Sequence, residues 1–263
     1  MHHYLGIMLL GLFSLCVVSC AGDPEPEYLE QPVDILYNAA HDQMMQEEYS
    51  LAAEKFDEVE RQHPYSKWAI KAQLMAAFSY YQANKYDDAV IALDRFIQLH
   101  PSNKDVPYAY YLKALCYYEQ ISSVDRDQEM TMDALRVLNE LITRFPDSKY
   151  ARDGKIKLDL AFNSLAGKEM EIGRYYQRGG NYLAGINRFK MVIDHYQTTT
   201  HVPEALLRLT ESYLAIGLED EARKSAAVLG HNFPGTDWYE DAYRLVKGEI
   251  LEPDKDGPWY EFW

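Results

Sequence analysis

Two stretches of this chain match without a gap at an offset of 37 residues: Ala40, Tyr49, Ala52 and Pro64 in the first, Ala77, Tyr86, Ala89 and Pro101 in the second. A unit of that length cannot bury an apolar face alone, so copies must stack on one another into an extended array. Three more copies follow. The third carries Ala114, Ala134, Leu138 and Pro146, its middle lengthened by an insertion. The fourth has Tyr182, Gly185 and Phe189 with Gln197 at the proline position, and the fifth has Tyr213, Ala222 and Pro234. In all five the second small residue stands twelve positions ahead of the proline site.

The physical reading is a pair of antiparallel helices per copy. Small residues permit close crossing, and proline stops the second helix because it has no N–H to give. The residue before that stop is aromatic or imidazole each time: His63, His100, Phe145, Tyr196 and Phe233. Two residues after it comes a side chain able to cap the next helix: Ser66, Asn103, Ser148, Thr199 and Thr236. Such a cap contributes about 1 kcal/mol relative to Ala. The pattern resembles the tetratricopeptide repeat, with the Trp and first Gly of that consensus mostly absent. The fold expected is all-α: a tetratricopeptide-repeat solenoid of five helix pairs plus a C-terminal capping helix, Asp237 to Lys247. By this resemblance the stack is a right-handed superhelix whose first helices line a concave face.

Residues 1–19 are apolar, carry no acidic side chain and end in Val17-Val18-Ser19 before Cys20. This reads as an export signal cut between Ser19 and Cys20, with Cys20 acylated as in bacterial lipoproteins. The n-region holds His2 and His3 but no Lys or Arg. An uncleaved membrane helix is the alternative, and the run is shorter than the roughly 20 residues a bilayer requires. Ala21 in place of Asp favours the outer membrane, by resemblance to other lipoproteins. Residues 20–32 are acidic and Pro-rich, a tether that can hold the fold up to ~40 Å from its anchor. Residues 251–263 end in Trp259-Tyr260-Glu261-Phe262-Trp263, a tail that either folds back on the stack or docks into a partner.

The net charge of −15 makes nucleic acid a poor partner, because phosphate binding runs through Lys and Arg. It also disfavours close contact with anionic lipid. With Cys16 in the signal and Cys20 acylated, Cys116 has no mate for a disulfide and reads as a small buried hydrophobe. Catalytic signatures such as HExxH, GxSxG, CxxC and the phosphate-binding glycine loops do not occur. No catalytic residue, metal or cofactor is expected. His63 and His100 share one repeat position and are structural; His195 and His201 flank a loop without a third ligand. Asp125-Arg126-Asp127 reads as a solvated loop held by its own salt bridges, and Asp57-Glu58-Val59-Glu60 as a solvated helix face.

A binding surface remains. Setting the first helices in register places Tyr37, Met44, Phe78, Tyr81, Tyr108, Tyr111 and Tyr118 on or near the concave face. Aromatic rings of this kind bury large area at small entropic cost. Each could instead pack between neighbouring helices.

Lipobox, tether and five repeats together resemble the BamD, or ComL-like, family of lipoproteins of the outer-membrane β-barrel assembly machinery (BAM). Asp94-Arg95-Phe96-Ile97-Gln98-Leu99-His100-Pro101 is similar to a stretch of that family at the end of the second repeat. Val124-Asp125-Arg126-Asp127-Gln128 is similar to its insertion loop, shortened here. Phe145-Pro146-Asp147-Ser148-Lys149-Tyr150 and the following long helix, through Ala166 to Tyr176, also correspond.

The resemblance implies a lipid-anchored protein on the periplasmic face of the outer membrane. It implies binding to BamA through its barrel-proximal POTRA domain, association with other BAM lipoproteins, and no enzymatic activity. Repeats 4 and 5 with the capping helix, residues 149–250, would face BamA, with Arg188 opposite a POTRA carboxylate. Repeats 1 to 3, residues 33–148, would receive unfolded outer-membrane proteins. Tyr37, Phe78, Tyr81, Tyr108 and Tyr111 would then grip their aromatic signal, with Lys71 for its carboxylate. Other readings are an adaptor lipoprotein for pilus assembly or cell division, and an accessory that docks a peptidoglycan enzyme.

Overall fold

The computed structural model describes residues 30–124 and 126–248. Cys20, its cleavage site, residues 20–29 of the tether and the aromatic tail lie outside them. Eleven helices make up the described part: α1 Val33–Met45, α2 Tyr49–Gln62, α3 Lys67–Gln82, α4 Tyr86–Leu99, α5 Val106–Tyr118, α6 Glu129–Arg144, α7 Lys149–Arg178, α8 Tyr182–His195, α9 Val202–Ala215, α10 Glu219–Asn232 and α11 Asp237–Val246. They form five consecutive pairs and a closing helix, as the repeat predicts.

The repeat positions do the packing expected of them. Ala40, Ala77, Ala114, Ala52, Ala89, Ala134 and Ala222 have no measurable exposure. One turn beyond the second small residue, Phe56, Leu93, Leu138 and Phe189 are likewise fully buried. Burying a side chain of this size is worth about 1.5–3 kcal/mol. In the fourth repeat the crossing is tighter still: a Cβ at Gly173 would overlap the Phe189 ring, and one at Gly185 would lie 3.2 Å from the Gly173 carbonyl oxygen.

The junctions repeat as faithfully as the core. The residue that ends each second helix has nearly the same backbone geometry, from φ −132°, ψ 57° at His63 to φ −127°, ψ 43° at Tyr196. Tyr196 adopts it although Gln197 replaces proline, so packing of its ring maintains the stop. Between first and second helices, Glu47, Asn84, Gly180 and Gly217 all take positive φ. At each of these turns the next N–H reaches back to the carbonyl five residues earlier, as Lys85 does to Tyr80 at 2.9 Å and Leu218 to Tyr213 at 2.8 Å, which satisfies a helix-end carbonyl.

Capping agrees with expectation at three sites and differs at two. Ser66 and Ser148 accept from Ala69 and Ala151 at 3.0 Å, and Thr236 from Tyr239 at 3.3 Å. Asn103 instead accepts from the Asp105 N–H at 2.9 Å, and the Thr199 hydroxyl donates back to the Tyr196 carbonyl. Those two helices begin later, at Val106 and Val202, with a proline in the first turn. Proline presets the helical φ and removes an N–H that would need a cap.

Consecutive first helices approach backbone to backbone, α1 with α3, α3 with α5, α5 with α7 and α7 with α9, whereas the backbones of consecutive second helices of the five pairs stand further apart, α4 reaching α2 through the long Arg95 side chain, which pairs with Glu60 at 2.7 Å. The array therefore bends with its first helices inside. The hydrophobic core changes hands within α7: Ala151 and Leu158 belong with repeats 2 and 3, Ala166 and Met170 with repeats 4 and 5. The insertion before α6 is held by Gln128, whose amide donates to the Ser123 and Arg126 carbonyls at 3.2 and 3.1 Å. Its oxygen accepts from Thr131 and, across to α7, from Ser164. A buried side-chain amide thus ties the described residues of this loop, and Asp125 lies outside them.

Candidate functional site

The inner face carries a belt of tyrosines across three successive first helices. Tyr108 and Tyr111 on α5 both lie against Tyr150 on α7, with ring centroids 5.3 and 5.4 Å away. Tyr81 on α3 meets Tyr86 at 5.9 Å. The Tyr111 hydroxyl donates to Asp153 at 2.5 Å. Burial first, then that carboxylate, pushes the Tyr111 hydroxyl well above its usual range. Burial also pushes Tyr108 up to about 12, with Tyr150 and Tyr81 adding to it. These hydroxyls stay protonated and can donate. Lys149 and Lys157 sit over Tyr150 and Tyr118 at 4.9 and 5.0 Å, within cation–π range.

A groove of about 760 Å³ opens between α3 and the start of α5. Its floor is apolar, from Ile70, Leu74 and Met75, and Lys67, Lys71 and Lys104 stand on its rim with Asp105. In a chain of net charge −15 three ammonium groups around an apolar trough favour a ligand that is both apolar and anionic.

Each residue expected on this surface can now be placed. Tyr81, Tyr108, Tyr111 and Phe78 are half-buried and pack on the core of repeats 2 and 3. Met44 packs partly buried on the first repeat. Tyr37 is a correction: it is only 4% exposed, sandwiched by Phe56 at 5.3 Å and Trp68 at 4.7 Å. It belongs to the core because α1 turns that ring toward α3. Lys71 covers its face, Nζ 5.2 Å from the ring centroid, and borders the groove.

Tyr150, Lys67 and Lys104 were not anticipated, though a signal existed. Lysine directly follows the capping residue in repeats 1 to 3, at Lys67, Lys104 and Lys149.

Further along the array the inner face turns ionic. Arg174 on α7 reaches both Glu204 oxygens on α9 at 3.0 and 3.1 Å, and Arg208 bridges Glu204 and Glu211. Arg188 on α8 is half-exposed, and its Nη1 donates to Glu169 at 2.9 Å. That leaves most of its five N–H donors for another acceptor.

Cys116 is fully buried, and burial pushes its thiol up to about 12. It would present almost no thiolate at neutral pH. Among the described residues no group of three or more His, Cys, Asp or Glu is placed to hold a metal ion. No helix there is long and apolar enough to cross a membrane.

Comparison with known proteins joins these features to a family. Residues 30–229 match the model of the family YfiO, described as outer membrane lipoprotein. Outer membrane protein assembly factor BamD of Caulobacter vibrioides is 48% identical over 245 residues, 92% of this chain and 80% of its own length. Its counterpart in Rickettsia prowazekii is 46% identical over 90% of this chain and 94% of its own. Among solved structures, a tetratricopeptide repeat protein from Parabacteroides merdae aligns with 82% of this chain and 85% of its own, at 14% identity and a TM-score of 0.38, too loose to carry an argument. The chain belongs to the YfiO family of outer membrane lipoproteins, whose relatives here are the assembly factors named BamD.

Proposed function

We propose that this protein is the scaffold lipoprotein of an outer-membrane β-barrel assembly complex. Acylated Cys20 holds it on the periplasmic face of the outer membrane. It works by binding: the BamA POTRA domain nearest the barrel and other BAM lipoproteins on one side, unfolded outer-membrane proteins on the other. The observation that carries the substrate half is that α3 and α5 carry both the tyrosine belt and, at α3 and the start of α5, a lysine-rimmed apolar groove. An extended chain ending in an aromatic residue and a free carboxylate matches that surface in shape and charge. Tyr81, Tyr108, Tyr111 and Tyr150 supply ring faces and donors, and Lys71 with Lys67 and Lys104 supplies positive charge for the terminus. On the other half of the array Arg188, held by Glu169, is the residue offered to a POTRA carboxylate.

Affinity isolation from solubilised outer membrane tests the assembly reading: BamA should copurify, and depletion should lower folded porins broadly. Peptide binding to the mature protein tests the groove. A peptide ending in Phe with a free carboxylate should lose about tenfold or more in affinity to the Lys71→Glu, Lys104→Glu double variant, a change of about 1.4 kcal/mol or more. The amidated peptide should lose little. Equal loss for both peptides would refute the carboxylate site.

A further inference from the structure

We infer that the corner between α2 and α3 rests on the membrane that carries the anchor, with the Tyr65 ring in the headgroup region. This rests on acylation at Cys20 and goes beyond it by naming the part of the folded domain that touches lipid.

Four observations converge on that corner. Tyr65 is fully exposed, at 101% of its reference area, and Trp68 one turn further keeps 39% in the open. Tyr65 is also singular within the repeat: the residue after the proline site is Ser102, Asp147, Thr198 and Gly235 in the other four copies. The turn has no structural need of a ring there. The chain meets this same corner as it enters the fold. The Gln31 N–H donates to the Gln62 side chain at 2.8 Å, and the His63 ring bonds the Gln31 carbonyl at 2.6 Å. Nine residues separate Cys20 from Glu30, a covalent reach of at most roughly 35 Å.

An acylated cysteine thus holds Tyr65 and Trp68 near the bilayer surface at high effective concentration. Tyrosine and tryptophan are the side chains that favour that interface, the ring among the upper acyl chains and the polar edge in water. The net charge of −15 speaks against anionic headgroups as the attraction, so the contact is with zwitterionic lipid through the rings. Trp68 is pinned on Tyr37 at 4.7 Å, which fixes the corner's orientation. One consequence is that repeat 1 stands at the membrane while the array extends from it.

The test uses the full acylated protein on phosphatidylcholine and phosphatidylethanolamine vesicles containing a nitroxide-labelled phospholipid. An environment-sensitive fluorophore is attached at Tyr65→Cys, or as a distal control at Asp220→Cys, whose native side chain is 88% exposed. Cys116 is buried and escapes labelling. Expected is emission at position 65 that is blue-shifted and quenched several-fold more strongly than at position 220, with the melting temperature of the unlabelled variants unchanged. Protein that floats with the vesicles while both probes remain equally water-exposed overturns the contact and leaves the anchor standing. Protein that does not float overturns the anchor and, with it, this inference.

Discussion

Arg188 on α8 and Glu169 on α7 form an ion pair at 2.9 Å, with the carboxylate mostly buried and the guanidinium half in solvent. The pair fixes the direction of a cation that still has donors to spare. An exposed or half-exposed pair contributes only about 0–1 kcal/mol to stability. Arg188→Ala should therefore shift the melting temperature by a few degrees at most, while recovery of BamA in affinity isolation falls sharply. Unchanged recovery with a large drop in melting temperature would make Arg188 a purely structural residue.

The α7–α8 crossing depends on a missing side chain. Gly173→Ala places a methyl group into the Phe189 ring, and overpacking of this kind costs about 1–3 kcal/mol. Urea denaturation should show the loss, and Phe189→Leu in the same chain should recover part of it. Additive losses would mean that the two positions do not share a contact.

Glu47 sits at φ 62° where the equivalent turns use Asn84, Gly180 and Gly217. A left-handed backbone costs a branched-Cβ or long side chain about 1 kcal/mol or more. Glu47→Gly should raise stability by about 0.5–1 kcal/mol after the entropy of glycine is subtracted, measurable as a higher denaturation midpoint.

His201 lies under the insertion, its Nε2 3.3 Å from where a Cβ on Gly167 would be. Burial, foremost, and the nearby Arg174 hold its pKa below the usual 6.5, against the opposing pull of Glu204. The unfolded chain then takes up the proton first. Stability from this group is complete above about pH 6.5 and declines as pH falls toward the folded-state value. His201→Gln should flatten the fall in denaturation midpoint between pH 7 and pH 5; an unchanged slope would assign it to other groups.

Helix pairing, the number of pairs and the stop before each proline site follow from rules that act over a few residues, and a 37-residue period displays them openly. The crossing alanines and the fully buried Phe56, Leu93 and Leu138 are legible for the same reason. Capping was legible at Ser66, Ser148 and Thr236 but not at Asn103 or Thr199, where a proline in the first turn moves the helix start.

The composition of the binding face required the fold itself. Tyr111 donates to Asp153 from 42 residues away, and Tyr150 joins the belt from α7, the first helix of the fourth pair. Whether a ring such as Tyr37 lies in the core or stands open on the inner face depends on how α1 is rotated against α3. A helix advances about 100° per residue, so one position of error in register exchanges a buried ring for an exposed one. Periodicity along the chain settles which helices exist and in what order; the angles and distances between them, which select the faces left open, come from side-chain packing summed over the whole stack.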